Sequence, residues 1–262
     1  MKQNILIALS LFWVSNFAFA LAGVPGMPPG YAPTTEEEVV AYGRAKIHTE
    51  LGAQYYGSGQ MGVALDEFTV ALAAERRYVP AHYMLGLVYM ELKDDAQAEQ
   101  YFKSALELDK TNSEAHNNYG WFLCQRGKIE DSIKQFMSAL KNPLYETPDK
   151  PYVNAGICSL KRQDDKNAEE FFLKALKLNP NQPQALLALA EIYYRANDLP
   201  NARAQILPFM KTQTPTPEAL WLGVRIERKL GDNNSQESYA QMLRQRFPLS
   251  KETQALATGH YE

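Results

Sequence analysis

The glycines at 52, 86 and 120 stand 34 residues apart, each behind a bulky residue (Leu51, Leu85, Tyr119), and so regular a step predicts repeated supersecondary units. Gly156 follows after 36 residues, and the step of 34 then resumes through Ala190 and Val224. One two-residue insertion therefore separates the third and fourth units, and the proline-rich residues 142–151 are its natural place. Twelve residues after the first five members of this column come Ala64, Ala98, Ser132, Ala168 and Ala202; sixteen after come Phe68, Phe102, Phe136, Phe172 and Ile206. Nineteen after come Ala71, Ala105, Ala139 and Ala175, then Phe209.

Within each unit lies a cluster of turn residues: Gly57-Ser58-Gly59, Lys93-Asp94-Asp95, Arg126-Gly127-Lys128, Gln163-Asp164-Asp165, Asn197-Asp198-Leu199 and Gly231-Asp232-Asn233. Glycine and asparagine tolerate unusual backbone angles and aspartate caps a following helix, so each unit reads as helix, turn, helix. These columns resemble the tetratricopeptide repeat (TPR) family, in which a small residue lets two helices approach closely and an aromatic fills the space beside it. The resemblance implies an all-α superhelical solenoid of about six helix-turn-helix repeats. In the sixth unit Trp221 and Pro248 fit, but Gln236 and Ala240 replace the small residue and the aromatic, as in a degenerate capping repeat.

The array is expected over residues 36–250. Ahead of it, Lys2, the mostly apolar residues 5–19 and Ala18-Phe19-Ala20 read as a secretory signal over 1–20, cut after Ala20. The apolar run is shorter than the roughly 20 residues that cross a bilayer; an uncleaved anchor is the alternative. Residues 21–35, with their prolines and glycines, read as a flexible leader, and 251–262 as a polar tail. A hydrophobic fraction of 45% suits a folded chain, while a net charge of -3 offers no basic field for nucleic acid or an anionic membrane.

Three motifs invite chemistry, and each has a plainer reading. Residues 57–62 match the G-x-G-x-x-G string, which needs a strand before it to cradle a pyrophosphate; here a helix precedes it. His48, His82 and His116 recur at 34 residues, but stacked helices lie on the order of 10 Å apart, and one zinc holds its nitrogens at about 2.0–2.1 Å, so packing is the expected role. Cys124 and His116 would lie roughly 12 Å apart along one helix. No catalytic residue, metal, cofactor or small-molecule substrate is expected, and the chain is read as a protein-binding scaffold and not as an enzyme.

Cys124 and Cys158 fall on the first helices of adjacent units at nearly matching heights, four and two residues beyond their glycines. In an oxidising compartment they are candidates for one disulfide, which needs Cα atoms about 4.4–6.8 Å apart; two buried thiols are the alternative. In TPR proteins the first helices line a concave groove, one turn either side of the glycine column. Carried over, that groove would hold Tyr56, Tyr83, Leu87, Asn117, Trp121, Val153, Ile157, Leu187 and Tyr194. This set lacks the Lys, Asn and Arg that grip a C-terminal carboxylate in some relatives, and suits an apolar or amphipathic segment.

His116 to Gly127, reading HNNYGWFLCQRG, together with Asn154-Ala155-Gly156-Ile157-Cys158 and Leu220-Trp221-Leu222-Gly223-Val224-Arg225, resembles the type IV pilus biogenesis and stability proteins called PilF or PilW. Such proteins are six-repeat, outer-membrane-associated factors that help a secretin ring assemble or stabilise pili. The resemblance implies a periplasmic scaffold, a protein partner that is the pilus secretin or another assembly component, and a Cys124–Cys158 bridge. In one respect the chain departs from them: relatives usually carry a lipid-anchor cysteine after the signal, and none precedes Cys124, which puts outer-membrane tethering in question. The competing reading is an exported TPR adaptor that regulates or delivers a cell-envelope enzyme.

Overall fold

The computed structural model describes residues 26–261, among which there are thirteen α-helices and no strand. The expected signal over 1–20 and the first part of the leader lie outside the described residues. Six helix pairs follow one another: α1 (Glu36–Gly57) with α2 (Met61–Ala74), α3 (Val79–Glu91) with α4 (Asp95–Leu108), and α5 (Ser113–Gln125) with α6 (Ile129–Ala139). Next come α7 (Asp149–Lys161) with α8 (Asp165–Leu178), α9 (Pro183–Arg195) with α10 (Leu199–Thr212), and α11 (Pro217–Leu230) with α12 (Asn233–Arg246); α13 (Lys251–Thr258) closes the stack.

Backbone chemistry at the turns explains the pairing. Gly59, Lys93, Gly127, Gln163, Asn197 and Gly231, each seven residues past its unit's member of the glycine column, all have positive φ, between 59° and 77°. That left-handed residue reverses the chain, and the aspartates after four of them (Asp94, Asp164, Asp198, Asp232) accept a hydrogen bond from the first turn of the second helix. Between α6 and α7 the connection is residues 140–148 instead of the four-residue links elsewhere, and α6 has 11 residues where most second helices have 14. This is where the two extra residues are absorbed.

Inside each pair the glycine column meets the aromatic column. A Cβ placed on Gly52, Gly86, Gly120 or Gly156 would stand 2.6–2.8 Å from the ring of Phe68, Phe102, Phe136 or Phe172. All four rings are fully buried, each worth about 1.5–3 kcal/mol of apolar burial, and only a residue without a side chain lets them seat. The sixth unit keeps this contact one residue out of step: Gly223, not Val224, faces Tyr239, with a Cβ-to-ring distance of 2.9 Å. The expected loss of the aromatic at 240 is thereby corrected, because Ala240 is buried beside a Tyr239 that does its work.

First helices of successive pairs touch one another along the row α1, α3, α5, α7, α9, α11, α13, whereas second helices touch only their own partner and the next first helix. Helices crowded on one side and spread on the other curve the stack, with the first helices on the inside. Ion pairs stitch the units on the outside: Arg126 with Asp95 (2.6 Å), Arg195 with Asp165 (2.9 Å) and Arg162 with Glu130. Exposed pairs of this kind contribute about 0–1 kcal/mol each.

Both ends are more ordered than a flexible leader and a polar tail. Met27 is buried against Ala45, Ala71 and Ala81, with its segment held by Val79 N–H donating to the Gly26 carbonyl at 3.0 Å. Ala45 is small where the next unit has Val79, and the methionine fills that space. At the other end, Ser250 caps α13, whose Leu256 packs on Trp221, Val224 and Leu243, so the tail covers the last unit's apolar edge.

Candidate functional site

On a first helix, the positions three before, one after and four after the glycine-column residue share one face. That face lies beside the glycine column, roughly 40–100° around the helix from it, on first helices that crowd together along the inside of the curve. Its middle is apolar. Tyr83 and Leu87 of α3 and Trp121 of α5 flank the buried cluster of Met90, Phe102 and Phe122 while staying half-exposed. Tyr56, Ile157 and Leu187 are half-buried in the same manner against their own clusters. Burial pushes the Tyr83 and Tyr56 phenols above their ordinary titration range, so both stay neutral hydrogen-bonding groups at any physiological pH.

Three residues assigned to the groove by sequence are not open surface. Asn117 is buried and its Oδ1 accepts a hydrogen bond from Asn154 Nδ2 at 3.0 Å, which ties α5 to α7. Val153 lies beneath Ala185 and Leu189 of α9. Tyr194 is buried because its ring is clasped by two cations of α11, the Arg225 guanidinium at 4.3 Å and Lys229 Nζ at 4.5 Å from its centroid. In each case the neighbouring repeat supplies the cover, leaving Tyr56, Tyr83, Leu87, Trp121, Ile157 and Leu187 as the accessible set.

The C-terminal end of the same face differs. There a cleft of about 300 Å³ opens between α9, α11 and α13, lined among others by Glu191, Glu218, Trp221, Arg225 and Glu252. Desolvation pushes the Glu191 carboxyl above the usual range although Arg195 and Arg225 stand near it. Trp221 and Arg225 occupy the inner columns that Leu187 and Glu191 hold one repeat earlier, so extending those columns to the last unit would have found them. A larger depression, about 500 Å³, lies among Lys110, His116 and Lys141 at the ends of the second helices, and no inner-face residue lines it.

The remaining motifs resolve into structure. Cys124 and Cys158 are joined as a disulfide between α5 and α7, with Cα atoms 5.8 Å apart. His48 Nδ1 lies 2.6 Å from Glu67, and His116 pairs with Gln135 at 2.7 Å and the Lys110 carbonyl at 3.0 Å. His82 meets the Arg76 carbonyl at 2.9 Å, and burial lowers its pKa. These histidines fasten first helices to their neighbours; among the described residues no group of three His, Cys, Asp or Glu is placed to hold a metal. Residues 57–62 end α1 and begin α2, with Gly59 as the left-handed turn residue.

Family models described as tetratricopeptide repeat match residues 79–112, 101–134 with 171–204, and 150–182. The type IV pilus assembly protein PilF of Pseudomonas aeruginosa is 28% identical over 207 residues, which is 79% of this chain and 82% of that protein. The solved structure of Pseudomonas aeruginosa PilF superposes with a TM-score of 0.74 at 26% identity, covering 84% of this chain and 99% of PilF. PilW, described as a widely conserved type IV pilus biogenesis factor, superposes at 0.70 with 29% identity, covering 81% and 98%. No helix among the described residues is long and apolar enough to cross a membrane.

Proposed function

Because the chain is a tetratricopeptide repeat protein that resembles PilF and PilW in sequence and in fold, we propose that it is a non-catalytic scaffold for type IV pilus biogenesis. It acts by binding protein, on the periplasmic side of the envelope, and its partner is the pilus secretin or another assembly component. The observation that carries this reading is the run of half-exposed apolar side chains along the inside of the curve, from Tyr56 to Leu187. An amphipathic segment laid there would bury its apolar stripe against those side chains, while its backbone hydrogen bonds stay satisfied within its own helix. Trp121 sits midway along this run with Lys161 Nζ 5.8 Å from its ring centroid, and large aromatics of this sort dominate interface energetics.

Deleting the gene and assaying surface pili and secretin multimers tests the proposal. Loss of pili, restored by the wild-type chain and not by a folded Trp121→Ala variant, is the expected result. Normal piliation with normal multimers would remove it in favour of an adaptor for an envelope enzyme.

A further inference from the structure

Two positions that later units bury lie open in the first. Five residues and one residue before the glycine column, Ala81 and Leu85 of α3 pack on Ala71, Ala64 and Phe68 of α2. Their counterparts Ala185, Leu189 and Ala219 are fully buried against the second helix of the preceding unit. Among the described residues no unit precedes α1, and there the same positions hold Ile47, 64% exposed, and Leu51, half-buried. Val40, also 64% exposed, lies on the same side, and beside it a Cβ on Gly43 would meet nothing within 4 Å. At the helical spacing of 3.6 residues per turn, Val40, Gly43, Ile47 and Leu51 form one stripe. The other end of the stack is covered by α13, whereas this end keeps an apolar edge where repeat arrays ordinarily present a polar cap. A contiguous apolar edge rimmed by charge marks a protein contact.

The rim says which protein. Glu36 and Glu37 stand two turns before Arg44 and Lys46 on α1, and all four are exposed; Lys46 has only a 3.9 Å contact with the exposed Glu50. Such a helix, acidic at its start and basic in its middle, is complementary to itself when reversed. We infer that this edge pairs with the same edge of a second copy of the chain, α1 against α1 in antiparallel, about a two-fold axis between Val40 and Gly43. In that register Val40 faces the other copy's Gly43, whose lack of a side chain leaves room for it. Glu36 and Glu37 of one copy then come level with Lys46 and Arg44 of the other, and the two-fold axis makes every contact twice. A parallel pairing would set like charges side by side, and an antiparallel one centred on Ala45 would bring Arg44 and Lys46 against their own copies. The edge is separate from the inner run of Tyr83, Trp121 and Ile157, so this pairing is independent of what the inner face binds.

Sedimentation of the full chain over a range of protein concentrations tests the pairing, with circular dichroism to confirm that each variant is folded. A monomer–dimer equilibrium is expected, and Ile47→Glu should leave monomer alone. The double variants Arg44→Glu with Lys46→Glu, and Glu36→Lys with Glu37→Lys, should each raise the dissociation constant about tenfold or more, an effect weakened by salt. Mixed in equal amounts, these two carry opposite charge on α1 and should again form dimers. A monomer at every concentration would overturn the inference, and so would a dimer that survives Ile47→Glu, which places the contact on another face. Charge variants that dimerise unimpaired, or whose mixture does not, would overturn the antiparallel register. A photoreactive residue at position 47 that gives adducts in cells with a different protein, and none with a second copy, would overturn the inference in favour of that partner.

Discussion

One inner column runs Leu87, Trp121, Ile157 through the middle of the stack and continues as Glu191 and Arg225 at its C-terminal end. Internal packing changes in the same direction. Between the third and fourth units a disulfide, an asparagine pair and the buried contact of Phe136 with Ala155 carry the junction. Between the fifth and sixth, Arg203 donates Nε to Glu227 Oε1 at 2.9 Å and Nη2 to Asp232 at 2.5 Å, and Glu227 is fully buried. A shared backbone plan therefore adds a covalent bridge to the apolar packing where the repeat is interrupted, and a buried ion-pair network to it where the repeat ends.

Arg203→Met should break that contrast hardest. It strands the buried Glu227 charge, so unfolding by denaturant should show a loss of about 3–5 kcal/mol, most of it recovered in the double variant Arg203→Met with Glu227→Met. A single-variant loss under about 1 kcal/mol would mean the C-terminal end is not held by charge. Reducing the Cys124–Cys158 bond, which closes a loop of 34 residues, should cost about 3–4 kcal/mol in the chain-entropy estimate. The loss should be insensitive to salt, unlike that at Arg203.

Gly120→Ala sharpens the picture inside the third unit. The new Cβ would stand 2.7 Å from the Phe136 ring, and overpacking of about 1–3 kcal/mol outweighs the helix-propensity gain. Gly43→Ala in α1, where a Cβ meets nothing within 4 Å, should instead stabilise by up to about 1 kcal/mol; equal signs for the two would discredit the ring-seating explanation. The smallest effect is expected at the turns. Lys93 and Gln163 hold a left-handed conformation with φ of 62°, so Lys93→Gly and Gln163→Gly should each raise the melting midpoint by an amount corresponding to about 0.5–1 kcal/mol.

Columns of glycine, alanine and phenylalanine are enough to read the repeat, its turns and the place of the insertion, because each column answers to one local contact. The sixth unit is harder to read since Gly223 and Tyr239 are shifted together by one residue, preserving their separation of sixteen while leaving the count from earlier units. Burial of Asn117, Val153 and Tyr194 depends on what the next repeat places above them, Asn154, Leu189 and the pair Arg225 and Lys229, and a single repeat's pattern does not contain that information. Docking of Met27 and Leu256 is likewise invisible to periodicity, because each belongs to a segment outside the array. Trp221 and Arg225 lay within reach: the inner columns and the 34-residue step lead directly to them.

Photocrosslinking in piliated cells tests most directly that the inside of the curve is the working surface. A photoreactive residue would replace Leu87 or Ile157 on the inner face, or Lys103 or Lys174 on the exposed second helices. Adducts with a pilus assembly component from positions 87 and 157, and none from 103 and 174, are the expected result. Adducts from the outer positions alone would contradict it.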